Sequence, residues 1–249
     1  MQNLPDRLRA GAPLVATFSM IASPMMVELI AKAGFEAVVL DMEHGPIGFS
    51  DLNVLVPAAR AAGIHAIVRV RHNEAALISS ALDVGASGVL VPQINSAAAA
   101  LAVVQAARFA PLGHRGVNPY TRAAGYNASA GWFTRVNAEV AVLVMVEGSA
   151  GIAALPEIMS IAGIDAVFVG PFDLSQSLGV AGQTDHPAVL SAIESIAAAA
   201  AERNLACAVF APSVAAGRRW LGLGVRMVAL SYDTAVVLEA FRSARKALE

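Results

Sequence analysis

The chain has 249 residues, 57% of them hydrophobic and only 14% charged, with a formal net charge of -2 and a pI near 6.2. No basic stripe points to nucleic acid, the single cysteine excludes an intrachain disulfide, and no uncharged apolar run approaches the roughly 20 residues of a membrane-spanning helix. Residues 1–13 (MQNLPDRLRAGAP) lack the apolar core of a signal peptide, so a cytoplasmic location is expected.

Short β-branched runs alternate with longer segments of helical period. Strands are predicted at 14–20, 37–43, 64–70, 88–92, 140–147, 166–171, 205–210 and 225–231. Helices are predicted at 23–33, 50–62, 73–84, 96–109, 149–162, 187–203, 213–222 and 233–248. Several helices open on a capping residue, such as Ser23 or Ser213, and Gly34, Gly63, Gly85 and Gly163 stand where helices should stop. This βα alternation predicts a (β/α)8 TIM barrel, with 1–249 as a single domain. An open doubly wound sheet is the competing fold, but no G-x-G-x-x-G or P-loop pattern follows a strand. Residues 110–139 carry several Gly and Pro together with Tyr120, Arg122, Tyr126 and Trp132. They read as a lid or mouth segment containing short helices. Cys207, within LACAVFA, reads as a buried small hydrophobe.

In such a barrel the reactive groups sit where strands end. Strand two ends in Asp41, Glu43 and His44, strand three in Arg69, strand four at Gln93, strand five in Glu147, and strand six runs into Gly170-Pro171-Phe172-Asp173. Each acid alone suits a helix cap as well as a ligand. Together Glu147 and Asp173 can chelate a hard divalent cation, Mg²⁺ or Mn²⁺, which takes one or two protein carboxylates and leaves room for water and substrate. Arg69 can balance that charge and hold an anionic oxygen. Asp41, three residues before His44, suits the orienter of a general base. Glu43 is expected to turn away from Asp41 and serve as a salt-bridge partner. Arg71, His65, His72, His114 and His186 read as surface or packing residues, and Asp165 and Asp185 as loop or cap acids. Neither Lys32 nor Lys246 falls at a strand end, which disfavours a Schiff base.

The segments LDMEHGP, IVRV, LVPQINSAAAA, FAPLGHRGV, VLVMVE and VFVGPFDLS, in this order, resemble the HpcH/HpaI aldolase family of metal-dependent class II pyruvate aldolases, over roughly 14–245. The resemblance implies reversible cleavage of 4-hydroxy-2-oxo acids to pyruvate or hydroxypyruvate and an aldehyde. It implies a divalent metal (Mg²⁺ or Mn²⁺, with Co²⁺ a third option) on Glu147 and Asp173, and a keto oxygen held by the metal and Arg69. The substrate carboxylate would rest on backbone N–H groups of the Gly170–Asp173 stretch. His44, oriented by Asp41, would handle the proton of the aldol hydroxyl through a water. The resemblance also implies a hexamer, a trimer of dimers with the last helix exchanged between subunits, and places Asp83 near a subunit interface. Three departures bear on substrate. Met145 stands where many members have Gln, Phe172 replaces a commoner Ala, and Asn118, Tyr120 and Arg122 give the expected mouth segment large side chains suited to selecting an unusual aldehyde. Another lyase on the same scaffold, such as an oxaloacetate decarboxylase or acyl-CoA lyase, and a non-catalytic metabolite-binding protein are the competing functions.

Overall fold

A computed structural model describes residues 1–249. Eight parallel strands close into a barrel in sequence order. They are β1 (Leu14–Ser19), β2 (Ala37–Asp41), β3 (His65–Arg69), β4 (Gly88–Val91), β5 (Ala141–Val146), β6 (Ala166–Val169), β7 (Ala206–Ala211) and β8 (Met227–Tyr232). The predicted strands all form, mostly shortened by a residue or two. The predicted helices form as well, except that 149–162 divides into Ser149–Ala153 and Leu155–Ile158. Pro156 sits in the first turn of the second piece, where its missing N–H is harmless and where it cannot continue the first. No helix is long and apolar enough to cross a membrane.

Two cores follow from the period of two along each strand. One set of residues, such as Val38, Leu40, Val142 and Val144, packs outward against the helices. The alternate set, including Phe18, Val39, Ile67, Leu143, Met145, Phe168, Phe210 and Ala229, fills the barrel interior. Continued by two residues, the interior parity runs from Val39 to Asp41, from Ile67 to Arg69 and from Met145 to Glu147. The strand-end acids and the arginine therefore face inward at the carboxyl end. Cys207 lies in the outer core, as its apolar context predicts.

Two helices were not anticipated, Leu4–Arg9 and Pro171–Ser177, whereas Trp132–Glu139 is one of the short helices expected within 110–139. Leu4–Arg9, capped by the Asn3 side chain, inserts Leu4 and Leu8 into the interior core and so plugs the amino end of the barrel. Pro171–Ser177 follows β6 directly, and Trp132–Glu139 precedes β5.

The lid expectation for 110–139 is overturned. The segment does contain short helices, Arg122–Ala124 (3-10) and Trp132–Glu139. However, Arg122, Trp132 and Val136 border a cavity of about 740 Å³ shared with Leu4, His65 and Ser87, beneath the amino ends of the strands. Topology is the reason. The helix Ala97–Ala107 runs back from the mouth, so its connection to β5 must lie at the opposite end.

Candidate active site

The mouth encloses a cavity of about 160 Å³ lined by Phe18, His44, Arg69, Met145, Glu147, Phe168, the stretch Gly170–Asp173, Phe210 and Tyr232. Arg69 is its anchor. Its Nε and Nη2 donate to the two Asp41 carboxylate oxygens at 2.9 and 2.6 Å, a bidentate pair favoured by the direct β2–β3 register of Asp41 with Arg69. Nη1 lies 3.0 Å from Glu43 Oε2, Nη2 also donates to the Tyr232 hydroxyl at 2.9 Å, and the guanidinium sits 4.9 Å from the Phe18 ring centroid.

This geometry corrects the expected role of Asp41. Its Oδ1 also accepts from the backbone N–H groups of Glu43 and His44, so Asp41 holds the turn and Arg69, and it does not orient the His44 imidazole. The imidazole is 62% exposed, and its nearest acid is Glu43, with Nε2 to Oε2 at 3.8 Å. Glu43 is the salt-bridge partner it was expected to be, but it does not turn away from Asp41: the bend after β2 brings it to the same Arg69 guanidinium.

Glu147 is 8% exposed. Its Oε1 accepts from the backbone N–H of Gln93 at 2.9 Å. Gln93 reaches it by adopting a left-handed φ of 59°, a conformation that costs a non-glycine residue about 1 kcal/mol or more. Burial pushes the Glu147 carboxyl up to about 7 against the pull of that N–H, and the charges of Asp173 and Glu43 push in the same direction. Gly170 stands against it. A Cβ there would sit 2.8 Å from Glu147 Oε2, so the absence of a side chain keeps this carboxylate in place. The first turn of Pro171–Ser177 then presents Phe172 and Asp173 to the cavity, with N–H groups that have no intrahelical acceptor.

Four carboxylates (Asp41, Glu43, Glu147 and Asp173) thus face one guanidinium, which is already matched by the first two. Glu147 and Asp173 have no cationic partner. Such an oxygen-rich, charge-deficient pair fits a hard divalent cation.

Residues 15–240 match the HpcH/HpaI aldolase/citrate lyase family. The chain belongs to this family. It is 35% identical over 241 residues to the hydroxypyruvate/pyruvate aldolase of Pseudomonas aeruginosa, covering 95% of this chain and 89% of that one. It is 33% identical to the 5-keto-4-deoxy-D-glucarate aldolase of Salmonella paratyphi C, covering 97% and 93%. The crystal structure of a family protein from Burkholderia cenocepacia superposes with a TM-score of 0.94 at 34% identity, covering 98% of each chain.

Not every expected site residue joins the family's barrel mouth in this chain. Asn118, Tyr120 and Arg122 line none of the mouth cavity. Asn118 caps the Tyr120 backbone N–H, Tyr120 is exposed, and Arg122 lies under the barrel. Asp83 pairs with Arg115, a buried guanidinium stacked 4.6 Å from the Phe109 ring centroid, and so anchors the connection into β5. Met145 does line the mouth, with its sulfur close to Gly170. Tyr232 stood with Asp233 among the strand-end polar residues read from the sequence but was assigned no role. Its signal was an aromatic ring at the end of β8, two residues beyond the last apolar position. Asp165, expected as a loop acid, is buried between Arg108 and Arg9 at 2.7 and 3.0 Å, because the residue preceding β6 meets the plugging helix.

Proposed function

We propose that the chain is a class II aldolase that reversibly cleaves 4-hydroxy-2-oxo acids to pyruvate or hydroxypyruvate and an aldehyde, with a divalent cation, Mg²⁺ or Mn²⁺, held by Glu147 and Asp173. The observation that carries this reading is the pair of carboxylates left without a cationic partner beside a clamped arginine. The named activities of the relatives support the same reaction class. When bound, the cation would supply positive charge at the keto oxygen.

The chain's own side chains account for the rest. Arg69, held by Asp41, Glu43 and Tyr232, keeps its charge in place where negative charge develops on the keto oxygen, without rearrangement during the reaction. The free N–H groups of Phe172 and Asp173 suit the substrate carboxylate. His44, exposed on the mouth side, accepts the proton of the 4-hydroxyl. As that proton leaves, the C3–C4 bond breaks, C4 becomes the aldehyde carbonyl, and the bonding pair passes into the pyruvate enolate. A proton returned to C3 completes the keto acid.

A hexamer with an exchanged last helix is part of the proposal. The helix Asp233–Lys246 buries only Asp233 and leaves Val236, Leu238 and Phe241 exposed, a face suited to a neighbouring copy. The deciding experiment follows pyruvate release from a 4-hydroxy-2-oxo acid before chelation, after chelation and after Mn²⁺ is restored. Activity should vanish and return; full activity in the chelated protein would sink the metal role.

A further inference from the structure

On β8 the side chains of Met227 and Ala229 point into the barrel, and regular alternation would place Ser231 next at the mouth. The pairing with β1 prevents this. The register passes from Ala16 opposite Ala229 to Phe18 opposite Tyr232, so β8 carries one extra residue. Ser231 absorbs it with a left-handed φ of 57°. Such a bulge re-aims the following side chain, and here it turns Tyr232 into the mouth. The Tyr232 ring lies 5.0 Å from Phe18 and 5.5 Å from Phe210, centroid to centroid. Phe210 continues to Phe172 at 6.0 Å, and Phe18 continues to Phe168 at 5.9 Å. One side of a 160 Å³ cavity is therefore a continuous aromatic wall.

The charges sharpen the consequence. The cavity's only permanent cation, Arg69, already has its charge matched by Asp41 and Glu43 and donates one further N–H to the Tyr232 hydroxyl. A substituent carrying its own carboxylate would find no unmatched guanidinium or ammonium among the lining residues. An uncharged apolar substituent would lie on the rings and displace water from them.

We infer that the aromatic wall created by the β8 bulge selects aldehydes with an uncharged, apolar substituent and rejects those ending in a carboxylate. This rests on the aldolase reading above, whose site it specifies. Phe172, half-exposed in a first helical turn, and Tyr232 are the residues that set this preference.

The test compares butanal and succinic semialdehyde, equal in chain length, as acceptors for pyruvate in the Mn²⁺-loaded enzyme. Enolate formation is measured separately as exchange of pyruvate C3 hydrogens in D2O. The expected result is a kcat/KM at least about tenfold higher for butanal, the order of discrimination from an unpaired buried charge. Phe172→Arg, which places a cation at the wall, should shift the ratio toward succinic semialdehyde by about tenfold. Exchange with equal use of the two aldehydes, or with a preference for succinic semialdehyde, overturns this inference and leaves the aldolase reading standing. Absence of exchange removes both.

Discussion

The two ends of the barrel hold buried charge in opposite ways. At the amino end the buried ions Arg108 and Asp165 are paired with each other and with further partners. Arg108 donates to the Asn137, Val140 and Gly163 carbonyls and to Asp165, Asp165 also accepts from Arg9 and from the Val142 N–H, and Arg7 makes a bidentate pair with Glu36. At the carboxyl end the buried Glu147 and the exposed Asp173 beside it lack a cation, and Gln93 and Ser231 hold left-handed backbone conformations. Matched buried charges add shape and little else, because desolvation offsets much of their attraction. Unmatched buried charge destabilises a fold, and its position at the carboxyl end suits a candidate site; left-handed backbone does not divide the same way, since Tyr126 and Asn204 also hold it at the amino end.

Breaking the matched end should produce the largest effect on stability. Asp165→Ala leaves Arg108 buried without its acid and is expected to cost about 3–5 kcal/mol, read from denaturant unfolding, while the protein that remains folded keeps its KM for the keto acid. A raised KM in that variant would show that the two ends are coupled.

The unmatched end should respond in the opposite sense. Glu147→Gln is expected to lower kcat/KM by a factor on the order of 10²–10³. The folded carboxyl, at about 7, lies above its ordinary value of 4.5, so the folded chain binds this proton more tightly than the unfolded chain. The metal-free protein therefore loses stability as pH rises from 4.5 through 7, and the glutamine variant should unfold no earlier than the parent at pH 8. An earlier unfolding transition would mean that the acid stabilises the fold.

His65 offers a pH test of the amino end. Burial lowers its imidazole to about 4, with Arg7 pushing the same way. The folded value lies below the ordinary 6.5, so the unfolded chain takes up this proton first. Stability is complete above pH 6.5 and is lost as pH falls toward 4, by roughly 2–3 kcal/mol. A His65→Asn variant should lose this component of the acid sensitivity; an unchanged pH slope would assign that sensitivity elsewhere.

The smallest predicted change is the finest probe of the mouth. Gly170→Ala inserts a methyl where a Cβ lies 2.8 Å from Glu147 Oε2 and should displace that carboxylate. We expect Mn²⁺ affinity, measured by titration calorimetry, to fall about tenfold, in the range seen when the support of a ligand is disturbed. Unchanged affinity would separate Glu147 from the metal.

Much of this molecule was legible in one dimension. Period-two apolar runs alternating with helical segments specify eight strands and their covering helices, because burial on both faces of a parallel sheet leaves β-branched residues few alternatives. Asp41, Arg69, Glu147 and Asp173 were recognisable as strand-end polar residues, and their family pattern was specific. Other features depend on contacts between distant residues. The acids of Asp41 and Glu43 go to Arg69, and His44 receives neither by a close hydrogen bond, because β2–β3 register places Asp41 beside Arg69. Gln93 acts through its backbone, which no side-chain pattern announces. The segment 110–139 has a composition suited to a lid, but chain direction sends it to the other end. The inward turn of Tyr232 arises from a slip between β1 and β8, strands more than 200 residues apart, and a register shift of one residue exchanges the two faces of a strand. Local periodicity depends on neighbours in sequence and so determines the elements and their inner faces; partner choice, chain return and register depend on closure of the barrel, and only the tertiary structure decided them.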